Sequence, residues 1–278
     1  MAIKTFEELI AHLKSNRIKR RIGVVCPNDK ATQEAVDRAE QEGFVVPTIF
    51  NHGDAQAASR QAVAAARRGE IDVLMKGLVP SDVILHAILD KECGILPRGR
   101  VLTHVTTAEI PAYHKFLFFT DAAVIPFPTQ EQREEQVTYI ANFCRRFGVA
   151  EPKISLVHCT EKTDARHFPF TVGYADIKQE AKEGKFGPCI VDGPLDMKTS
   201  CSPTSMREKG IRSPLEGDAD ALVFPDIESG NLFYKTITLF AGAKTAGLLQ
   251  GTDIPVVLPS RADSANAKYL SLCTACLL

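Results

Sequence analysis

The chain has no surplus charge of either sign, no apolar run approaching the length of a membrane span, and neither of the glycine signatures that cradle nucleotide phosphates. Thirty-three Lys and Arg stand against thirty-four Asp and Glu, a net charge of -1. Nothing therefore draws the whole molecule to nucleic acid or anionic lipid, and any anion specificity must be local. The N-terminus, M-A-I-K-T-F-E-E-L-I, has no apolar stretch behind a basic start, so no membrane partner is expected and a cytoplasmic location is. After the first strand-like run comes P-N-D-K-A-T-Q-E-A-V, without G-x-G-x-x-G or G-K-[ST], which argues against a plain dinucleotide site or a P-loop. His86, His104 and His158 are dispersed, with no H-x-x-x-H spacing, so no metal site is expected. The cysteines do not suggest a disulfide scaffold: Cys26, Cys159 and Cys189 sit in apolar, strand-like runs and are expected to be reduced. The C-x-x-C at Cys273 and Cys276 has no second pair to complete a zinc site and reads as core.

What is present is an ordinary globular composition. With 278 residues, 45% hydrophobic and 24% charged, the chain can bury one large core or two modest ones. T-F-E-E at Thr5 reads as a capping box opening a helix with Phe6, Leu9, Ile10 and Leu13 on one face. The basic run at 17–21 reads as a solvated turn, with a nucleotide contact as the alternative. Strands at 22–26, 44–50 and 71–75 alternate with helices at 55–68 and 80–91, which predicts a parallel, helix-covered sheet. Pro97, Arg98 and Gly99 mark a boundary, and strands at 101–105 and 116–119 begin a second sheet. A capping box at Thr129 and Gln132 opens a helix to residue 147. Later strands are expected at 154–158, 189–191, 221–224 and 254–258, with helices at 172–183, 232–243 and 262–277.

Residues 253–264, D-I-P-V-V-L-P-S-R-A-D-S, carry the strongest functional signal, because an apolar strand runs straight into a hydroxyl, a guanidinium and a carboxylate. At such a strand-to-helix junction, free backbone N–H groups beside the planar fork of Arg261 would seat a phosphate. The alternative is that Ser260 or Asp263 only caps the helix and Arg261 only pairs with a surface acid. These residues alone leave the two readings open. S-R-A-D-S, preceded by A-D-A-L-V-F-P-D-I-E-S-G-N-L-F-Y-K at 219–235 and V-D-G-P-L at 191–195, resembles the phosphate acetyl/butyryltransferase family. M-K-G at 75–77 and T-D-A-A at 120–123 resemble its butyryl branch more than its acetyl branch.

The resemblance implies an α/β chain of two α/β domains with a cleft between them, of the isocitrate/isopropylmalate dehydrogenase-like type. One domain is expected from residues 1–97 plus 254–278 and the other from 98–253. It implies interconversion of butanoyl-CoA plus phosphate with butanoyl phosphate plus CoA, by direct attack without a covalent acyl-enzyme. Ser260, Arg261 and Asp263 are the implied catalytic set, and Lys76, Gly77, Asp226, Gly230, Asn231 and Lys235 the implied substrate-binding set, with Asn231 as the cap of its helix. No metal and no cofactor beyond coenzyme A as substrate are implied, and relatives form homodimers or higher homo-oligomers. For Asp263, orienting Arg261, capping the helix and taking the thiol proton all stay open, since acetyl-branch relatives carry an acidic pair where this chain has Ala265, Asn266 and Ala267. Three rivals remain: a phosphate acetyltransferase, a β-decarboxylating dehydrogenase lacking its usual clustered aspartates, and a non-catalytic paralogue.

Overall fold

β-branched apolar runs alternate with amphipathic helices along the first hundred residues, and a computed structural model, describing residues 2–260 and 262–278, shows how they are used. Thr5–Leu102 and Lys244–Leu278 form one compact unit, called here the first. It opens with α1 (Phe6–Ser15), β1 (Arg20–Val25), α2 (Lys30–Gln41), β2 (Val45–Phe50), α3 (Ala55–Arg67), β3 (Val73–Lys76) and α4 (Ser81–Ile88). Side chains of Thr5, Asp29 and Asp54 cap α1, α2 and α3 by accepting the N–H three residues on. Each satisfies a donor that the first helical turn leaves without an intrahelical partner. β1 lies between β2 and β3, all parallel. Ile22, Val24, Val25, Leu74 and Met75 are fully buried, as strands covered on both faces require.

The second unit is Met1–Lys4 and Thr103–Ala243. It contains β4 (Thr103–Glu109), β5 (Leu117–Thr120), α5 (Gln130–Arg146), β6 (Lys153–Val157), α6 (Gly173–Lys182), β7 (Ile190–Leu195), α7 (Met197–Cys201), α8 (Pro203–Glu208), β8 (Ala221–Val223) and α9 (Ile227–Phe240). β4 and β5 are antiparallel; β5, β8, β6 and β7 then follow side by side in parallel. The capping box at the start of α5 is complete, with Gln132 N–H donating to Thr129 Oγ1 and Thr129 N–H donating to Gln132 Oε1. Phe116, Phe118, Phe143 and Phe147 meet largely edge-on beneath α5, the packing that aromatic quadrupoles favour. α9 begins five residues earlier than the expected 232, because Asp226 caps it and Gly230 lies inside the helix instead of in a loop.

The chain then returns to the first unit as β9 (Lys244–Gln250), β10 (Val256–Val257) and α10 (Ala265–Leu277). β10 is parallel to β3, with Val256 beside Leu74 and Val257 beside Met75, and antiparallel to β9. Residues 244–253, expected in the second domain, therefore sit in the first unit, since β9 pairs with β10. α10 packs against α1, α2 and β9. Its buried Lys268 donates to Asp29 Oδ1 at 2.8 Å and Thr32 Oγ1 at 2.9 Å, pinning α10 to the capped start of α2. Cys273 and Cys276 are core residues, and burial pushes both thiols up to about 12. Among the described residues no helix is long and apolar enough to cross a membrane.

Candidate active site

Ser260 follows β10 at the carboxyl end of the parallel strands, where open α/β sheets hold their ligands. The turn that carries it is tied by side chain and backbone together: Ser260 N–H donates to Asp263 Oδ2 at 2.7 Å, and Asp263 N–H donates to Ser260 O at 3.1 Å. Ala262 N–H approaches Ser260 Oγ at 3.4 Å. This corrects two expectations. α10 starts at Ala265, not 262, and its cap is Ser264, whose side chain accepts Ala267 N–H at 3.2 Å. Asp263 does not cap the helix, because its carboxylate holds the serine N–H. With that N–H engaged, the hydroxyl is the donor Ser260 can offer outward. Arg261 lies outside the described residues.

Lys76 ends β3, one strand over from β10, and only 2% of it is exposed. Its Nζ donates to Pro259 O at 3.2 Å and to Gly77 O at 3.4 Å. Gly77 N–H donates to Val25 O at 2.8 Å, and a Cβ added at Gly77 would meet Cys26 O. Gly77 allows close backbone approach and its N–H is used within the sheet, and the Lys76 amine reaches two backbone carbonyls.

In the second unit, Asp226 is the N-cap of α9, accepting Ser229 N–H at 2.8 Å and Ser229 Oγ–H at 2.8 Å. Asn231, expected at the cap, instead lies in the helix and donates Nδ2–H to Ala122 O at 3.0 Å. Gly230 lets α9 approach the loop after β5, since a Cβ there would strike Asp121 O. Asn231 and Lys235 line an open depression of about 600 Å³ with Ala122, Ala123, Ile227, Glu228 and Leu232. Lys235 Nζ lies 4.8 Å from the Tyr234 ring centroid.

Sequence reasoning missed the residue that shapes this depression. Asp121 is 2% exposed, and its carboxylate accepts from Thr103 Oγ1, from His104 N–H, and from the N–H groups of Ala123, Val124 and Ile125. Five donors on one buried carboxylate fix the loop that faces α9. The T-D-A-A motif was its only signal. Of the implied residues, then, the first unit brings together Ser260, Asp263, Lys76 and Gly77, and the second brings together Asp226, Gly230, Asn231 and Lys235.

The chain matches the family model described as "Phosphate acetyl/butaryl transferase" over residues 27–275. It belongs to that family. The phosphate butyryltransferase of Clostridium acetobutylicum is 30% identical, over 99% of this chain and 98% of its own. The phosphate acetyltransferase of Thermotoga maritima is 31% identical, over 91% and 93%. The crystal structure of a branched-chain phosphotransacylase from Enterococcus faecalis V583 superposes with a TM-score of 0.83 at 29% identity, covering 92% of this chain and 97% of that one. A 4-hydroxythreonine-4-phosphate dehydrogenase from Klebsiella pneumoniae, at TM-score 0.53 and 11% identity over 92% and 98%, shares the fold alone. The protein is therefore a phosphate acyltransferase on a dehydrogenase-like α/β fold.

Ala265, Asn266 and Ala267 form the first turn of α10, and Asn266 Oδ1 accepts from Arg38 at 3.3 Å. Asp196 caps α7 through Thr199 N–H and pairs with Lys209 at 2.6 Å. Cys159, expected in a strand, is exposed just past β6, with its sulfur 3.8 Å from His158 Nε2. His158 itself is buried against Phe168 and Phe170, and desolvation lowers its pKa, favouring the neutral ring. Among the described residues no cluster of three or more His, Cys, Asp or Glu is placed to hold a metal.

Proposed function

We propose that the enzyme interconverts butanoyl-CoA plus phosphate with butanoyl phosphate plus CoA. A phosphate oxygen attacks the thioester carbonyl carbon, and a tetrahedral oxyanion forms. The C–S bond then breaks, and the proton from hydrogen phosphate ends on the CoA sulfur. The observation that carries this reading is Ser260: it is exposed at the end of β10 in a cinched turn, with its own N–H occupied by Asp263. Its hydroxyl would donate to the oxyanion, and Arg261 would hold the phosphate. No acyl-enzyme is needed when both substrates are held together. Asp263 supports the turn in this reading, and a thiol of pKa about 8.5 needs little help from a base.

Asn231 and Lys235, on the depression beside α9, would hold polar parts of CoA. Asp226 and Gly230 would serve by shaping that surface. M-K-G at 75–77 and the C. acetobutylicum relative support a butanoyl substrate. A specific rival is acetyl-CoA, favoured by the T. maritima relative; the two acyl chains differ by two methylenes, each worth about 1–3 kcal/mol in an apolar pocket, a matter of pocket size that one fold can set either way. The reading includes a cytoplasmic homodimer or higher homo-oligomer that uses coenzyme A as substrate and requires neither metal nor nicotinamide. Trapping the product of butanoyl-CoA and phosphate with hydroxylamine, in EDTA, tests it. Butanoyl hydroxamate is the expected product; CoA release without a trappable acyl phosphate, or a strict metal requirement, would refute it.

A further inference from the structure

The peptide bond that leads into Ser260 is held at both of its polar ends by side chains. Its carbonyl, Pro259 O, accepts from Lys76 Nζ at 3.2 Å, and its N–H, on Ser260, donates to Asp263 Oδ2 at 2.7 Å. Lys76 is itself immobilised. It is 2% exposed, it ends a strand paired on either side by β1 and β10, and the next residue, Gly77, is locked against Val25 and Cys26. Asp263 is tied back through its own N–H to Ser260 O. Fixing both ends of a peptide fixes the rotation of its plane, and that rotation sets the direction in which the next residue presents its side chain. Hydrogen bonds at the two ends of one amide also polarise each other.

We infer that Lys76 is a positioning residue of the acyl-transfer reaction, acting through the 259–260 peptide to aim Ser260 Oγ. A lysine kept inside the sheet is costly unless something requires its N–H, and here it reaches the carbonyl one residue before the candidate oxyanion donor. Either protonation state of the amine can donate that bond. The inference rests on the proposed role of Ser260 and assigns Lys76 a different role from that of a phosphate ligand.

Lys76→Met keeps the length and apolar stem and removes the donor, and Lys76→Gln keeps a donor on a shorter stem. Misplacing a catalytic group by a fraction of an ångström lowers turnover without weakening ground-state binding. Lys76→Met is expected to lower kcat by about ten- to a hundredfold, with the KM values for phosphate and acyl-CoA within about twofold of the parent; Lys76→Gln should fall between. The decisive comparison is a double-mutant cycle, because two residues acting through one hydroxyl are not additive. In a Ser260→Ala background, Lys76→Met should change kcat by less than about twofold. Additive losses would overturn the inference. So would a phosphate KM raised about tenfold at unchanged kcat, or failure of both Lys76 variants to fold. Crystal structures give a readout independent of activity: Ser260 Oγ should shift by more than about 0.5 Å in Lys76→Met, the tolerance within which catalytic groups must be held. An unmoved turn would refute the positioning role even if the parent proved to catalyse a different reaction. Absence of phosphate-dependent transfer in the parent, with the turn displaced as expected, would instead refute the proposed function.

Discussion

Replacing Ser260 with alanine should separate chemistry from stability. Among the described residues the hydroxyl accepts one long contact, from Ala262 N–H at 3.4 Å, on an exposed side chain. The bonds that tie its turn are backbone N–H and C=O groups meeting Asp263, and they survive the substitution. The stability cost should therefore stay within about 0.5 kcal/mol, or about 1–2 °C in Tm for a chain of this size. A lost oxyanion donor, by contrast, costs about 2.7–4 kcal/mol in the transition state, a fall of about 100- to 1000-fold in kcat. The substrates are held elsewhere, so KM should barely move. Phosphate-dependent release of CoA from butanoyl-CoA, followed with a thiol reagent, gives both constants, and a thermal melt gives Tm. A kcat within about tenfold of the parent at unchanged Tm would refute the oxyanion role. A large fall in Tm would refute the reading of the turn.

Three further expectations concern Arg261, Asp121 and the Asp29–Lys268 pair. Arg261→Gln should lower kcat/KM by about thirty- to a thousandfold, with the phosphate KM rising more than the CoA KM; phosphate kinetics within about twofold of the parent would sink its role as the phosphate seat. Asp121→Asn puts an amide where a carboxylate accepts five donors, so it should destabilise the second unit by about 2–4 kcal/mol in urea unfolding; a loss below about 1 kcal/mol would mean the loop is held otherwise. Burial tends to raise the pKa of Asp29, but the hydrogen bonds from Lys268 and Thr32 outweigh it and the net shift is downward. The stability this contributes is present above the unfolded-state value of about 4 and is lost as pH falls through the folded value. Lys268→Met should accordingly lower Tm at pH 7, and the gap to the parent should close as pH drops below about 4; a gap independent of pH would rule out the charge coupling.

Periodicity made much of the fold legible. The alternation through β1, β2 and β3 and the boxed start of α5 follow from apolar spacing and capping chemistry that local sequence carries. β9 escaped because K-T-A-G-L-L-Q has no clean alternation and owes its state to pairing with β10. Helix starts were misplaced where several capping residues crowd together. Ser260, Asp263 and Ser264 all qualify before α10, and so do Asp226 and Asn231 near the start of α9. Which one caps depends on which side chain is already bonded elsewhere, as Asp263 is to Ser260 N–H. Lys76 was visible as a cation but not as one turned inward, since a strand-end lysine looks the same in sequence whether it faces a ligand or a buried carbonyl. Asp121 gathers donors from its own loop and from the start of β4, a convergence that only folding creates.

Phosphate-dependent acyl transfer with a four-carbon preference is the central claim. Measuring kcat/KM for butanoyl-, propionyl- and acetyl-CoA, with and without phosphate and in EDTA without nicotinamide, tests that claim most directly. CoA release that needs phosphate and is fastest with butanoyl-CoA is the predicted result. Release that ignores phosphate would contradict the reaction, and a higher kcat/KM for acetyl-CoA would contradict the butanoyl assignment.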